Sequence, residues 1–184
     1  MALQIPQITK LFHTQGAVQY GSEAINQQQH ALQCAHLAEQ AGATPELVTA
    51  ALLHDLGHLV APDRAAKASA VDDVHQYLAI PFLRGVFGEA VLAPIRMHVD
   101  AKRYLCQVDR QYWSSLSPVS QCSLALQGGP FSQDEAATFI GQPFATDAVA
   151  LRRWDDAAKD PKATPPDWAH YATIMESAST AQAV

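Results

Sequence analysis

Between Thr44 and His58 the chain reads Thr-Pro-Glu-Leu-Val-Thr-Ala-Ala-Leu-Leu-His-Asp-Leu-Gly-His, and this stretch constrains the fold more than any other. Thr44 suits a helix N-cap and Pro45 the first helical position. Leu47, Val48, Ala51 and Leu52 supply an apolar surface that has to be buried. The helix is expected to run to His54-Asp55, with Gly57 breaking the pattern. Two polar side chains then stand at a buried helix end, where unpaired groups are costly. A bound cation satisfies both. A lone His-Asp pair is common by chance, so the meaning of this one depends on the rest of the chain.

The remaining pattern is helical throughout. Helices are expected over residues 3–14, over 23–41 with Ser22 as N-cap, from Asp72 to about Arg84 with His75, and from Glu89 to about Leu105 with Pro94 near its start. Within 23–41, Glu23, Gln27 and His30 fall on one face. In the helix from Glu89, His98 and Lys102 stand four residues apart on one face. Further helices are expected over 116–127, with Ser117 as cap and Pro118 first, after a cap at Ser132, over 144–158 with Asp155, and over 167–178. Pro62 and Asp63 read as a loop, and 65–70 as a mobile segment. Strand alternation, repeats and linkers are missing from the pattern. The expectation is an all-α fold, a single compact helical bundle over 1–184 with its core at about 10–160.

Composition narrows the function classes. The 184 residues carry a net charge of −6 with 12 Lys and Arg. With no basic stripe to neutralise a phosphate backbone, nucleic-acid binding is not expected, whereas a small anionic substrate needs only a few local cations. No apolar run reaches membrane length and no leader pattern opens the chain, so a cytoplasmic protein is expected. Cys34, Cys106 and Cys122 fit buried hydrophobes better than a disulfide framework or a zinc ribbon. The eight histidines are the oddity. Taken with the acids on separate helices, they yield His30, His54, Asp55, His75, His98 and Asp155. Six such groups can surround two octahedral ions, with Asp55 bridging through its two oxygens. Imidazole and carboxylate without thiolate suit iron or manganese.

The order His, then His-Asp, then a distant Asp resembles the HD-domain superfamily, and the two extra histidines resemble its dinuclear members. Tyr20-x-x-Glu23, His54-Asp55-x-x-His58, His98-x-x-x-Lys102, Ser115-Leu-Ser-Pro-Val-Ser120-Gln and Leu151-Arg-Arg-Trp-Asp155-Asp together look like the small HD-domain di-iron oxygenases that cleave organophosphonates. The resemblance spans about residues 10–160 and extends to the inositol oxygenases. It implies that His30, His54, Asp55 and Asp155 hold one iron and His75 and His98 the other, with Asp55 shared. The pair would be mixed-valent Fe(II)/Fe(III), with O2 as co-substrate. A superoxide-level oxidant would take hydrogen from the hydroxyl-bearing carbon, and C–P cleavage would yield phosphate and a carboxylate. The resemblance makes Tyr20 a gate over one iron position.

The spacing supports several of these roles physically. Lys102, one turn beyond His98, is placed to meet phosphonate oxygens, and His58 and Ser120 are further candidate contacts. Glu23, expected two turns before His30, is placed to pair with a substrate ammonium. This favours 2-amino-1-hydroxyethylphosphonate as substrate and glycine as product. Tyr20, Glu23 and Lys102 are thus the candidate catalytic residues beside the metal ligands. Each has a plainer reading as core aromatic, first-turn acid or solvated lysine, as Ser120 does as a turn residue. Arg152 and Arg153 suit surface salt pairs, at least one of them, and His13, His36 and His170 fit no pattern. Two other activities compete: a metal-dependent phosphohydrolase with the same ligands, and an inactive HD domain that binds an effector.

Overall fold

The computed structural model describes residues 2–21, 23–61 and 74–180. Its helices are α1 (Ile5–Gln15), α2 (Gln27–Gln40), α3 (Pro45–Leu53), α4 (Leu56–Val60), α5 (His75–Leu78), α6 (Ile80–Leu83), α7 (Glu89–Val108), α8 (Tyr112–Ser115), α9 (Pro118–Leu126), α10 (Gln133–Ile140), α11 (Ala145–Ala157) and α12 (Trp168–Ser177). Among the described residues there is no strand, only isolated bridges such as Gln19 with Asn26. The all-α expectation holds.

Helix α3 is central because every residue from Leu47 to Leu53 is buried. A helix that is apolar on all sides has to be surrounded, and α2, α7, α11 and α12 pack around it. Thr44 caps it as expected, accepting from the Leu47 N–H. The longest seam runs between α7 and α11. On α7 the buried face carries Val91, Ile95, His98, Lys102 and Leu105, which recur at helical spacing. The C-terminal α12 joins the same core, as Trp168 lies against Phe12 with ring centroids 4.5 Å apart and donates to Thr9 Oγ1 at 2.9 Å.

Several boundaries differ from expectation. Helix α2 starts at Gln27, not at residue 23, because Asn26 and Gln29 form a capping box that fixes the start. Glu23 therefore lies in the preceding turn, its N–H donating to the Tyr20 carbonyl at 2.9 Å. Gly57 does not end the helical path; α4 runs through it. A Cβ on Gly57 would lie 2.1 Å from the His75 carbonyl oxygen, so glycine is there to let α4 meet the backbone of α5. The helix carrying His75 is broken at Ala79, since Pro81 has no N–H to continue the ladder. Ser22, Pro62, Asp63, residues 65–70 and Asp72 lie outside the described residues. Among those described, no helix is long and apolar enough to cross a membrane.

Candidate metal centre

His54 ends α3 and Asp55 begins the turn into α4, so both stand at the inner end of the most buried helix. Helix α2 brings His30, α5 His75, α7 His98 and α11 Asp155, all buried. The two oxygens of Asp55 divide the cluster. Oδ2 lies 3.4 Å from His54 Nε2 and 3.7 Å from His30 Nε2. Oδ1 lies 3.4 Å from His75 Nε2, 3.9 Å from His98 Nε2 and 3.8 Å from His58 Nε2. Asp155 Oδ1 joins the first group, 3.3 Å from His30 Nε2 and 3.8 Å from His54 Nε2.

The backbone sets the tautomers. Nδ1 of His30 faces the Ala158 carbonyl at 2.9 Å, that of His54 the Ala51 carbonyl at 2.9 Å, and that of His98 the Ile95 carbonyl at 2.7 Å. A carbonyl can only accept, so each Nδ1 donates to it, which leaves each Nε2 facing inward as the atom available to a metal. His30 and His54 present their Nε2 atoms 3.3 Å apart, and His75 and His98 theirs 3.0 Å apart. Two nitrogens bound at right angles to one ion, each at about 2.1 Å, would be about 3.0 Å apart. The donor set therefore fits a cation in each half.

Electrostatics point the same way. Burial pushes the Asp55 carboxyl up, but His54, His58 and His75 outweigh it and hold it well below the usual range. Asp155 behaves alike: burial is overcome by Arg152, with help from His30 and His54. Burial works against a charged His54, yet Asp55 and Asp155 bring it up to about 9. His98 is pushed well down, by burial first and then by His75 and His54. Two buried carboxylates thus demand positive charge, and a metal ion would displace the proton that His54 otherwise holds.

Arg152 is buried, contrary to the surface pairing considered for it. Its Nη1 holds Asp155 Oδ2 at 2.8 Å, and its other nitrogens bind Asp156 and the Tyr112 hydroxyl. It thereby aims Asp155 Oδ1 at the histidines. Arg153 is the surface pair, with Asp109 at 3.4 Å. Cys34, read from the sequence as a buried hydrophobe, is buried, and its Sγ lies 3.6 Å from His30 Nε2 in a close donor trio with His30 and His54. Burial, then Asp155 and Asp55, hold its thiol well up, so it stays protonated and a weak ligand.

The other expected residues fare unequally. Tyr20 stacks on His30 with ring centroids 3.8 Å apart and donates to Asp155 Oδ1 at 3.2 Å, so it lies over the first half of the cluster. His58 stacks on His75 at 4.3 Å. Lys102 is only 2% exposed, which removes the solvated reading. Its Nζ donates to Ser123 Oγ at 2.9 Å, a residue that no motif singled out. Burial, then the neighbouring Arg152, bring Lys102 down to about 7. Ser120 Oγ accepts from Ser117 Oγ at 3.3 Å, and its N–H serves the cap of α9. Glu23 is not free, because Lys159 Nζ stands 3.4 Å from its Oε1. His170 pairs with Glu39 at 2.8 Å and His13 lies edge-on to Trp168, both away from the cluster. The surface hollows beside Tyr104 and Ile140 and beside Phe131 and Thr138 share no residue with it.

The family model for the HD domain matches residues 28–122. The chain belongs to the HD-domain family. That match holds His30, His54, Asp55, His75 and His98, while Asp155 lies beyond it. The HD-domain chain is 46% identical over 157 residues to a hydroxymethylphosphonate dioxygenase of Gimesia maris, covering 84% of this chain and 78% of that one. It is 34% identical over 167 residues to a [1-hydroxy-2-(trimethylamino)ethyl]phosphonate dioxygenase (glycine-betaine-forming) of Leisingera caerulea, covering 90% of this chain and 85% of that one. The resemblance drawn from the motifs agrees with both.

Proposed function

We propose that this HD-domain protein is an oxygenase that uses two iron ions and O2 to cleave the C–P bond of a 1-hydroxyalkylphosphonate. The observation that carries the reading is Asp55, whose two oxygens face two separate histidine groups, as a bridging carboxylate requires. His30, His54 and Asp155 would hold one ion with Asp55 Oδ2, and His75 and His98 the other with Oδ1. Bound there, the ions would orient phosphonate and hydroxyl oxygens and supply electrons to O2. Tyr20 covers the first position until substrate displaces it from Asp155. Lys102 offers buried positive charge to the phosphonate, with Ser123 fixing its ammonium. The six ligand candidates and the shared core of α12 also support one HD domain over the whole chain.

Hydroxymethylphosphonate is the favoured substrate, since the more similar of the two relatives is named for it. The overall reaction balances as hydroxymethylphosphonate plus O2 giving formate and phosphate, with one C–H bond and the C–P bond broken. The test is an oxygen electrode run beside a phosphate assay on the iron-loaded protein. One O2 consumed per phosphate is expected. Phosphate release at an undiminished rate without O2 would overturn the oxygenase reading and favour hydrolysis.

A further inference from the structure

We infer that Lys159 sets substrate specificity by acting as a built-in counter-ion to Glu23, closing the pocket to substrates with a cationic substituent. This rests on the phosphonate reading and names which members of that class the site takes. The Glu23–Lys159 pair stands one ring away from the histidine cluster. Lys159 Nζ lies 5.9 Å from the centre of the Tyr20 ring, which stacks on His30. Lys159 Nζ also donates to Ser117 Oγ at 3.4 Å, and Ser117 Oγ donates to Ser120 Oγ at 3.3 Å. Glu23, Lys159, Ser117 and Ser120 therefore form one connected polar wall beside Tyr20.

The ammonium is delivered by a pinned backbone. The Ala158 carbonyl accepts from His30, the Asp160 N–H donates to Gln33 Oε1 at 3.0 Å, and the Asp160 carbonyl accepts from Gln33 Nε2 at 2.9 Å. With the residues on either side tied to α2, the Lys159 backbone is held where its side chain reaches Glu23. The pair is only partly exposed, Lys159 at 15% and Glu23 at 22% of the side chain, so solvent screens it incompletely. An ammonium or trimethylammonium group entering here would meet a carboxylate already neutralised and a fixed cation of its own sign. A substituent of hydrogen alone, as in hydroxymethylphosphonate, meets no such conflict.

The test compares wild type, Lys159→Met, Lys159→Gln and Lys159→Arg for O2-dependent phosphate release from hydroxymethylphosphonate and from 2-amino-1-hydroxyethylphosphonate. Wild type is expected to prefer the former. Lys159→Met should shift the kcat/KM ratio toward the amino substrate by about tenfold to a hundredfold, mostly through KM. Lys159→Gln, which retains a donor for Ser117 and perturbs folding less, should shift it in the same direction. Lys159→Arg should keep the wild-type ratio. Adding Glu23→Gln to Lys159→Met should abolish the gain. An unchanged ratio in a folded, iron-replete Lys159→Met or Lys159→Gln variant overturns the inference alone, as does a wild-type preference for the amino substrate. Failure of wild type on both substrates overturns the phosphonate reading itself, and the inference with it.

Discussion

Gly57→Ala separates the two halves of the proposed centre. A Cβ there would stand 2.1 Å from the His75 carbonyl oxygen and 2.7 Å from its carbon, where ordinary contact begins at 3.4 Å, a shortfall of about 1.3 Å. The obstacle is backbone, which cannot rotate aside. Such overpacking costs about 1–3 kcal/mol. Alanine is better than glycine inside a helix by about 1 kcal/mol, which offsets part of this. Against backbone the cost lies at the top of that range or above it, so the net loss of stability is about 2 kcal/mol or more, a fall in Tm of about 4–8 °C or more for a chain of this size. The site is less tolerant, because ligand distances hold to about 0.2 Å. Pushing His75 away from Asp55 Oδ1 and His98 should empty that half and leave His30, His54 and Asp155 undisturbed. Iron analysis should find close to one ion per chain in place of two, and phosphate release should fall by about a hundredfold or more. A folded Gly57→Ala protein with two ions and full activity would refute both the packing argument and the role of His75.

Lys102 should impose a pH dependence on substrate binding. Its ammonium is lowered to about 7, by burial first and then by Arg152, so the charge is present below that pH and lost above it. KM for the phosphonate should climb above pH 7, by up to about tenfold per unit, and Lys102→Arg, which cannot lose its charge, should flatten the profile. Arg152→Met frees Asp155 Oδ2 and Asp156 together, and iron titration should show affinity weakened by about 10–100-fold. Tyr20→Phe removes the hydroxyl from Asp155 Oδ1 while keeping the ring on His30. It should raise O2 consumption that yields no phosphate, and tight coupling in that variant would count against a gating role.

The histidine–aspartate cluster was legible in the sequence, and the polar wall beside Tyr20 was not, for a physical reason. A ligand must combine the right donor with a place where a core helix ends or faces inward, and both leave local marks. The run from Leu47 to Leu53 announces a helix buried on all sides, so His54 and Asp55 could be placed before any contact was known. His98 follows from the same periodicity that buries Val91 and Ile95, and Lys102 lies on that face too. Capping chemistry marked the starts of α3, α9 and α10 equally well, at Thr44, Ser117 and Ser132. It misled at α2, where Ser22 and Asn26 are both acceptable caps and only the reciprocal bond with Gln29 selects the second.

That displacement by one turn is what changed the reading of Glu23. On an α2 extended back to residue 23, Glu23 would rise from the face of His30 with its carboxylate open to substrate. In the turn closed by its own N–H on Tyr20, it meets Lys159 instead. No periodicity links Glu23 to Lys159, and no motif distinguishes a lysine that completes a wall from one in solvent. The pairing exists because His30 and Gln33 on α2 bind the backbone at Ala158 and Asp160. The contact that orients a histidine of the proposed centre thus also helps hold Lys159 against Glu23. On the proposed reading, specificity at the substituent end is mechanically joined to the histidine–aspartate cluster, and a change that loosens Ala158 from His30 should alter both together.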